Sequence, residues 1–211
     1  IQNMKIIVCI KQVPDTTEVK LDPKTGRLIR DGVPSIINPD DKNALEEALR
    51  IKDENPDTTV TVVSMGPPQA DVAMREALAM GADEAILISG REFGGSDTWA
   101  TSYIIATAIK KIPDYDIIFC GRQAIDGDTA QVGPQIAEQL NIPQITYVQK
   151  LDIEGDKVIV QRQLEDGYTV VEAKMPVLLT AIKELNTPRY MTPKGIFEAY
   201  NKTVQVWGFN D

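Results

Sequence analysis

Short apolar runs alternate with amphipathic segments along the first two thirds of the chain. The runs are continuous, which is typical of central parallel strands that are covered on both faces. They are Lys5–Ile10, Thr59–Ser64, Ala85–Ser89 and Asp116–Cys120. The segments between them have helical periodicity and predict helices at 42–53, at 69–80, from Ser96 or Asp97 to about Lys111, and near 135–140. This alternation predicts an α/β fold with a doubly wound, mostly parallel, Rossmann-like sheet.

The pattern changes after residue 143. Alternating segments separated by Gly155-Asp156 and Asp166-Gly167 turns predict an antiparallel β meander within 145–173. A further β-hairpin at 19–33 is expected to decorate the sheet, and the apolar run 175–181 to rejoin it.

The C-terminal residues 186–211 are predicted to form an arm outside the single α/β domain of residues 4–185. A short helix is predicted at 194–200, followed by an extended tail at 203–207. The tail has little core of its own to join, so we expect the arm to contact a partner chain.

Polar or glycine-containing turns follow several predicted strands. Right-handed crossovers would gather the turns 9–13, 64–67 and 121–133 around one crevice at the carboxyl rim of the sheet. The longest turn reads GRQAIDGDTAQVGP from Gly121 to Pro134. A strand, a glycine, a polar loop and a helix start form the arrangement by which open α/β sheets hold nucleotides. The loop lacks the Walker and G-x-G-x-x-G patterns, and an ordinary βα connection with a good helix cap is the alternative.

The chemistry expected of this loop is binding through the main chain. Asp128 with Gln131 predicts a capping box, and Pro134 favours a helix that starts after it. The aspartates are expected to cap the helix or to accept bonds from hydroxyl groups, which leaves phosphate to backbone amides and Arg122.

Composition narrows the function further. The formal net charge of −9 argues against nucleic acid as a partner, and the absence of a long apolar run argues against membrane insertion. Cys9 and Cys120 are interpreted as small buried side chains in a reducing cytoplasm, with a redox pair as the alternative. Because the sequence has no histidine, Ser-His and Cys-His catalysis is excluded, and any reaction is expected to be carried by a bound cofactor.

Six segments in order span nearly the whole chain. They are Val8–Asp15, Asn38-Pro39, Met65–Pro67, Ala77–Asp83, Gly121–Pro134 and Leu185–Tyr190. Together they resemble the β subunit of electron-transfer flavoproteins.

The resemblance implies a cytoplasmic electron carrier with no catalytic side chain. It implies a heterodimer with an α subunit that holds the electron-carrying FAD, and an adenine nucleotide bound in the crevice of the β subunit. That nucleotide is a structural AMP in the housekeeping branch. In the bifurcating branch it is a second FAD, which is reduced by NADH as part of a complex.

The resemblance also suggests the partners. Electrons would pass between NADH or a dehydrogenase, such as an acyl-CoA dehydrogenase, and acceptors that include ferredoxin or flavodoxin in the bifurcating branch. We favour FAD, because the loop carries the small or apolar residues Gly127, Thr129, Ala130 and Val132 where the housekeeping pattern is bulkier or more polar.

The resemblance assigns binding positions residue by residue. The matched positions are Cys9, Asn38, Asp41, Met65, Gly66, Gly121, Arg122, Gln123, Ala124, Ile125, Asp126, Gly127, Asp128, Thr129, Ala130, Gln131 and Val132.

Two departures and two alternatives accompany this assignment. Pro193 stands where the housekeeping branch has a docking leucine. The family's C-terminal arm is also longer, so we expect the chain to be truncated at Asp211.

An ATP-dependent enzyme of similar fold would need a triphosphate cradle that the crevice loops lack. A nucleotide-sensing or scaffolding subunit is the other alternative.

Overall fold

The fold is a nine-stranded sheet with helices on both faces. The computed structural model describes residues 3–15, 20–24, 28–29 and 32–211. The strands are β1 (Lys5–Cys9), β2 (Gln12–Pro14), β3 (Lys20–Leu21), β4 (Leu28–Ile29), β5 (Ser35–Ile37), β6 (Thr59–Met65), β7 (Glu84–Ile88), β8 (Ile117–Gly121), β9 (Gln144–Glu154), β10 (Lys157–Gln163), β11 (Tyr168–Lys174), β12 (Val177–Ala181) and β13 (Val204–Trp207). The α-helices are α1 (Pro39–Glu54), α2 (Asp71–Met80), α3 (Thr98–Ile109), α4 (Val132–Leu140) and α5 (Pro193–Asn201). Single 3₁₀ turns occur at Pro68–Ala70, Arg91–Phe93 and Lys183–Leu185.

The order of the strands places a switch point at the centre of the sheet. The order is β11-β10-β9-β12-β8-β1-β6-β7-β13. The seven strands from β9 to β13 in this order run parallel, and β10 and β11 continue the edge as an antiparallel meander. The chain builds outwards from β1 through β6 to β7, then returns to β8 on the other side of β1. The opening between β1 and β8 is where open α/β sheets bind ligands.

Two apolar cores, one on each face, explain the continuous hydrophobic runs. One core contains side chains of α1 and α2, such as Leu45 and Met74, against alternate residues of the sheet. The other contains side chains of α3 and α4, such as Ile109 and Ile136, against the intervening residues, including Cys9 and Cys120. The predicted doubly wound, mostly parallel fold is therefore confirmed.

The two smaller β features also match the pattern. The meander forms with β10 between β9 and β11, and β12 inserts between β9 and β8, as predicted from the apolar run. Strands β3 and β4 pair as a separate hairpin within the predicted region, although 16–19, 25–27, 30 and 31 lie outside the described residues. A second small ribbon, β2 paired with β5, was not predicted.

Two helices begin earlier than predicted. Helix α1 begins at Pro39, not near residue 42, and α4 begins at Val132, before Pro134. Both prolines stand in the first helical turn, where the N–H groups have no intrahelical partner, so a missing donor costs nothing. Asp128 and Gln131 do not form the expected capping box: Asp128 lies outside the helix and accepts a bond from the Gln123 side chain at 3.1 Å.

The C-terminal segment joins the sheet instead of remaining a free tail. Strand β13 pairs in parallel with β7 along Val204–Trp207, and Trp207 packs against the core beneath α3. Helix α5 packs on α2, and Arg75 of α2 donates to the carbonyl oxygen of Ala199 at 2.9 Å. The expectation that the tail has no core to join was wrong, because the sheet has an open edge at β7. Contact of residues 186–211 with a partner chain stays a prediction.

Replacing Gly195 with alanine should destabilise the docking of α5. An added Cβ would lie 2.2 Å from the carbonyl oxygen of Ala79, at the end of α2. The clash should cost about 1–3 kcal/mol, more than the gain of up to about 1 kcal/mol in helix propensity. The measurement is urea unfolding, with hydrogen exchange of the α5 amides.

Gly167→Ala is the matched control, because its added Cβ meets no atom of the described residues within 4 Å. Equal stability of the two variants would contradict this account of α5.

Candidate functional site

A cavity of about 440 Å³ opens at the carboxyl ends of β1, β6 and β8. It lies on the face of the sheet that α3 and α4 cover, with Cys9 and Cys120 at its floor. All three predicted turns line it. The first contributes residues 9–11, the second contributes Met65 and the third contributes much of 121–133. The prediction that these turns surround a single crevice is confirmed. Its size falls within the range of about 300–1,000 Å³ that is usual for small-molecule sites.

The carboxylate of Asp41 ties together the two strands between which the cavity opens. Asp41 lies in the first turn of α1. Its Oδ2 accepts from the Lys11 amide, just after β1, at 2.8 Å. Its Oδ1 accepts from the Gly121 amide, at the end of β8, at 2.9 Å. Two backbone donors that the diverging strands leave unpaired are thus satisfied by one side chain.

Two glycines let helices approach the strand ends. A Cβ at Gly121 would lie 2.2 Å from Oδ1 and 2.6 Å from the amide nitrogen of Asp41, so no side chain fits there. A Cβ at Gly133 would lie 3.1 Å from Thr180 Cγ2 and 3.4 Å from Cys120 Cβ. The first glycine seats the start of α1 against β8, and the second seats the start of α4 on β8 and β12.

Asn38 positions the long loop after β8. Its Nδ2 donates to the carbonyl oxygen of Gln123 at 2.8 Å, and its Oδ1 accepts from the Ile125 amide at 3.0 Å. Asn38 directly precedes α1, but its side chain binds the main chain of this loop and makes no capping bond to the helix. Further along, Asp128 and Ala130 have positive φ angles of 50° and 53°. Non-glycine residues with positive φ cluster at functional sites, where the surrounding structure enforces them.

Two cations line the cavity, and each has a carboxylate nearby. Lys11 Nζ lies 2.8 Å from Asp126 Oδ1. This ion pair joins the turn after β1 to the long loop. Arg122 Nε lies 3.5 Å from Asp40 Oδ2, and its guanidinium lies over the Tyr147 ring at 5.8 Å. These cations, together with the start of α4, give one wall a positive character that suits an anionic ligand.

Burial raises the pKa values of two acids and one thiol in or beside the cavity. Burial raises the pKa of Asp41 from 3.8 to about 7, against the opposing hydrogen bonds from the Lys11 and Gly121 amides and from Asn38. Burial also raises the pKa of Asp40, opposed chiefly by the charge of Arg122. The pKa of the Cys120 thiol is raised well above its usual value by its hydrogen bond to Cys9 and by burial.

Most of the residues predicted from the sequence line the cavity. They are Cys9, Asp41, Met65, Gly121, Arg122, Gln123, Ala124, Gly127, Thr129, Ala130, Gln131 and Val132. Five predicted residues are not among those that line the cavity. Asn38 and Ile125 bind each other, Asp126 pairs with Lys11, Asp128 accepts from Gln123, and the Gly66 amide donates to Ile88. Direct ligand contact by any of these residues stays a prediction.

Sequence reasoning missed a further wall, formed by the turn between β7 and α3. Its residues in the cavity lining are Phe93, Gly95, Ser96, Asp97, Thr98 and Thr101. Asp97 caps α3 by accepting from the Ala100 amide at 2.8 Å, as predicted. Thr98 Oγ1 bonds to Gln131 Oε1 at 3.2 Å, which joins the starts of α3 and α4. The sequence Gly94-Gly95-Ser96 after a strand carried the same pattern as the other turns and could have identified this wall.

Across the part of the chain that the structure describes, no group of three or more Cys, Asp or Glu side chains could hold a metal ion. Nor is any described helix both long enough and apolar enough to cross a membrane. The arrangement is that of a binding site built mainly from main chain and small side chains.

Comparison with known proteins agrees with this geometry. A family model for the electron transfer flavoprotein domain matches residues 25–211. The chain belongs to the electron transfer flavoprotein family. A protein of Thermoanaerobacterium thermosaccharolyticum named electron transfer flavoprotein subunit beta is 70% identical over 94% of this chain and 76% of its own length. A Clostridium acetobutylicum protein of the same name is 65% identical over 99% of this chain and 80% of its own length.

Another relative has a more specific name. The caffeyl-CoA reductase-Etf complex subunit CarD of Acetobacterium woodii is 62% identical over 99% of this chain and 79% of its own length. The shared segments are therefore those of β subunits in this family, and the predicted resemblance is confirmed. A β subunit implies an α subunit as its partner.

The stability of this protein should depend on pH because of Asp41. A folded-state pKa of about 7 against 3.8 means that the folded chain holds a proton that the unfolded chain releases. This contribution is complete below pH 4 and is lost as the pH rises to about 7, amounting to roughly 4 kcal/mol at most. Asp41→Asn removes the titration, but leaves one of two amide donors without an acceptor, at about 1–3 kcal/mol.

The variant should therefore be less stable than the unmodified chain at pH 4, and the difference should shrink and then reverse as the pH rises to 7, because the loss of roughly 4 kcal/mol exceeds the cost of the unpaired amide. Urea unfolding of both proteins at several pH values measures this difference, and comparison cancels the titration of other groups such as Asp40. A difference that stays constant from pH 4 to pH 8 would refute the raised pKa.

Proposed function

We propose that the cavity binds the adenine nucleotide part of FAD, and that the chain passes electrons as the β subunit of a heterodimer. The bound flavin supplies the redox chemistry. The chain's own residues bind the nucleotide, orient it and exclude water. The observation that carries the proposal is the cavity between β1 and β8, enclosed by main chain, small side chains and two helix starts.

We propose the start of α4 as the seat of the phosphate groups. Gln131, Val132 and Gly133 line the cavity there, and the first amides of a helix favour negative charge. Arg122 and Lys11 face the same space. The positive φ angles of Asp128 and Ala130 keep the loop in a fixed shape around it, which suits a close approach of ligand to backbone.

The choice of FAD over AMP rests on room beside this seat. A Cβ at Gly127 would meet no atom of the described residues within 4 Å, so the loop leaves open space there. Thr129 and Ala130, also in the lining, are small. A ligand longer than AMP can extend along this side, which supports the bifurcating type with NADH as electron donor. A structural AMP is the second candidate, because the cavity volume alone would also accommodate it.

The names of relatives support partners of the acyl-CoA type. CarD is named as a subunit of a caffeyl-CoA reductase-Etf complex. A protein of Anaerotignum propionicum, 56% identical over 96% of this chain and 77% of its own length, is named acryloyl-CoA reductase electron transfer subunit gamma. We therefore propose an acyl-CoA or similar dehydrogenase as one partner and ferredoxin or flavodoxin as an acceptor.

The surface of the C-terminal segment suits such contacts. Tyr190, Phe197 and Tyr200 have exposed fractions of 94%, 74% and 78%, which is unusual for large apolar side chains on one short stretch. We propose that residues 186–211 form part of the contact with a partner chain.

Flavin counting tests the cofactor. The chain is co-expressed with its α subunit, and the purified heterodimer is analysed by absorbance and by chromatography of the nucleotides released on denaturation. Two FAD per heterodimer are expected. One FAD with one AMP would replace the FAD proposal with the AMP alternative, and a heterodimer without adenine nucleotide in the β subunit would refute both.

Thr129→Glu should weaken nucleotide binding. The new carboxylate would stand in the cavity wall beside the proposed phosphate seat, and a repulsion of only 1.4 kcal/mol is enough for a tenfold loss. We expect the dissociation constant for AMP to rise at least about tenfold, measured by calorimetry on the nucleotide-free chain.

Thr169→Glu is the matched control, since Thr169 lies exposed on β11, away from the cavity. If both variants bind AMP as the unmodified chain does, the nucleotide does not occupy this cavity.

A further inference from the structure

Cys9 and Cys120 form a thiol pair at the cavity floor. They end neighbouring strands β1 and β8, and the parallel register pairs them directly. Both side chains face the α3–α4 side and belong to the same apolar core. They are largely buried, with exposed fractions of 8% and 6%, yet both line the cavity, so a small reagent can reach them through it.

The spacing of the two strands is compatible with a disulfide. Register partners in adjacent strands are separated by about 4.8 Å, and disulfides join Cα atoms about 4.4–6.8 Å apart. Both cysteines are free in the structure described.

The neighbouring Cys9 and burial raise the pKa of the Cys120 thiol. Disulfide exchange starts from a thiolate, which is the nucleophile. The exchange therefore requires only that one cysteine of the pair ionises.

We propose that Cys9 and Cys120 are a two-electron redox site that a low-molecular-weight disulfide oxidises to a Cys9–Cys120 disulfide. The thiolate of one cysteine attacks one sulfur of the reagent and releases the first small thiolate, which takes up the proton that this cysteine has lost. The second cysteine then attacks the protein sulfur of the mixed disulfide and releases the second small thiol, which takes the proton of the second cysteine. The chain loses two electrons and two protons, and the reagent gains them.

Oxidation should alter the cavity because the same sulfurs support its walls. A Cβ at Gly133 would lie 3.7 Å from Cys120 Sγ, so this sulfur backs the start of α4. Cys9 stands two residues before Lys11, whose amide binds Asp41. In a disulfide the two sulfur atoms lie about 2.05 Å from each other. Forming the bond would therefore move them away from these positions. Nucleotide and disulfide should therefore oppose each other, a consequence that rests on the proposed function.

The first experiment uses the reduced, nucleotide-free chain of 211 residues and oxidised glutathione as the probe. The chain has two cysteines, so any intramolecular disulfide joins Cys9 to Cys120. Mass spectrometry is expected to show the loss of two hydrogen atoms with no retained glutathione, and a linked peptide after digestion. The matched controls Cys9→Ser and Cys120→Ser can form only a stable glutathione adduct at the remaining thiol.

Two results would overturn the redox site. One is a folded chain that stays fully reduced while the urea-unfolded chain reacts. The other is a folded chain that stops at glutathione adducts, since that would show that the second sulfur is out of reach.

A second measurement separates this proposal from the nucleotide assignment. Saturating AMP should slow disulfide formation at least tenfold, and the oxidised chain should bind AMP at least tenfold more weakly than the reduced chain. If the disulfide forms but AMP neither slows it nor binds differently, the redox site stands and the placement of nucleotide over the two thiols is wrong.

Discussion

The buried carboxylate of Asp41 is the contact on which the site depends. At the switch point the chain leaves β1 and β8 towards different helices, so the amides of Lys11, just after β1, and of Gly121, at the end of β8, lack ladder partners. An unpaired buried amide costs about 1–3 kcal/mol, and Asp41 satisfies two, at Lys11 and Gly121. The burial that makes this tie also raises the pKa of the carboxyl to about 7. The cavity is thus held open by an acid that is costly to ionise.

The remaining walls are positioned by contacts that begin at this tie. Gly121 lets α1 approach β8 closely enough for Asp41 to reach its amide. Asn38, just before α1, then holds the long loop at Gln123 and Ile125, so the loop and the helix are fixed to each other. Thr98 joins α3 to α4 on the opposite wall. The bonds of Asp41 and Asn38 run from side chain to main chain, so the site's shape is set before a ligand arrives.

The architecture could be predicted from the sequence because burial on both faces leaves a continuous apolar run at each parallel strand. Helix starts were less predictable, because a proline in the first turn, as at Pro39 and Pro134, looks like a barrier although no donor is needed there. The extended segment of β13 was predicted, but its pairing with β7 was not, because that pairing depends on an edge that only the assembled sheet presents. Asn38 was predicted as a site residue, but its role in holding the loop involves residues more than eighty positions away.

The charge of the whole chain and the charge of the cavity lead to different conclusions. A net charge of −9 argues against a polyanionic partner, since such a partner contacts a broad surface. A single phosphate group responds to charges within about 8 Å at physiological ionic strength. Within the cavity lining, Lys11 and Arg122 stand beside the start of α4, and the carboxylates of Asp126 and Asp40 hold them in place. An acidic chain can therefore bind a nucleotide, because the local arrangement outweighs the distant charges.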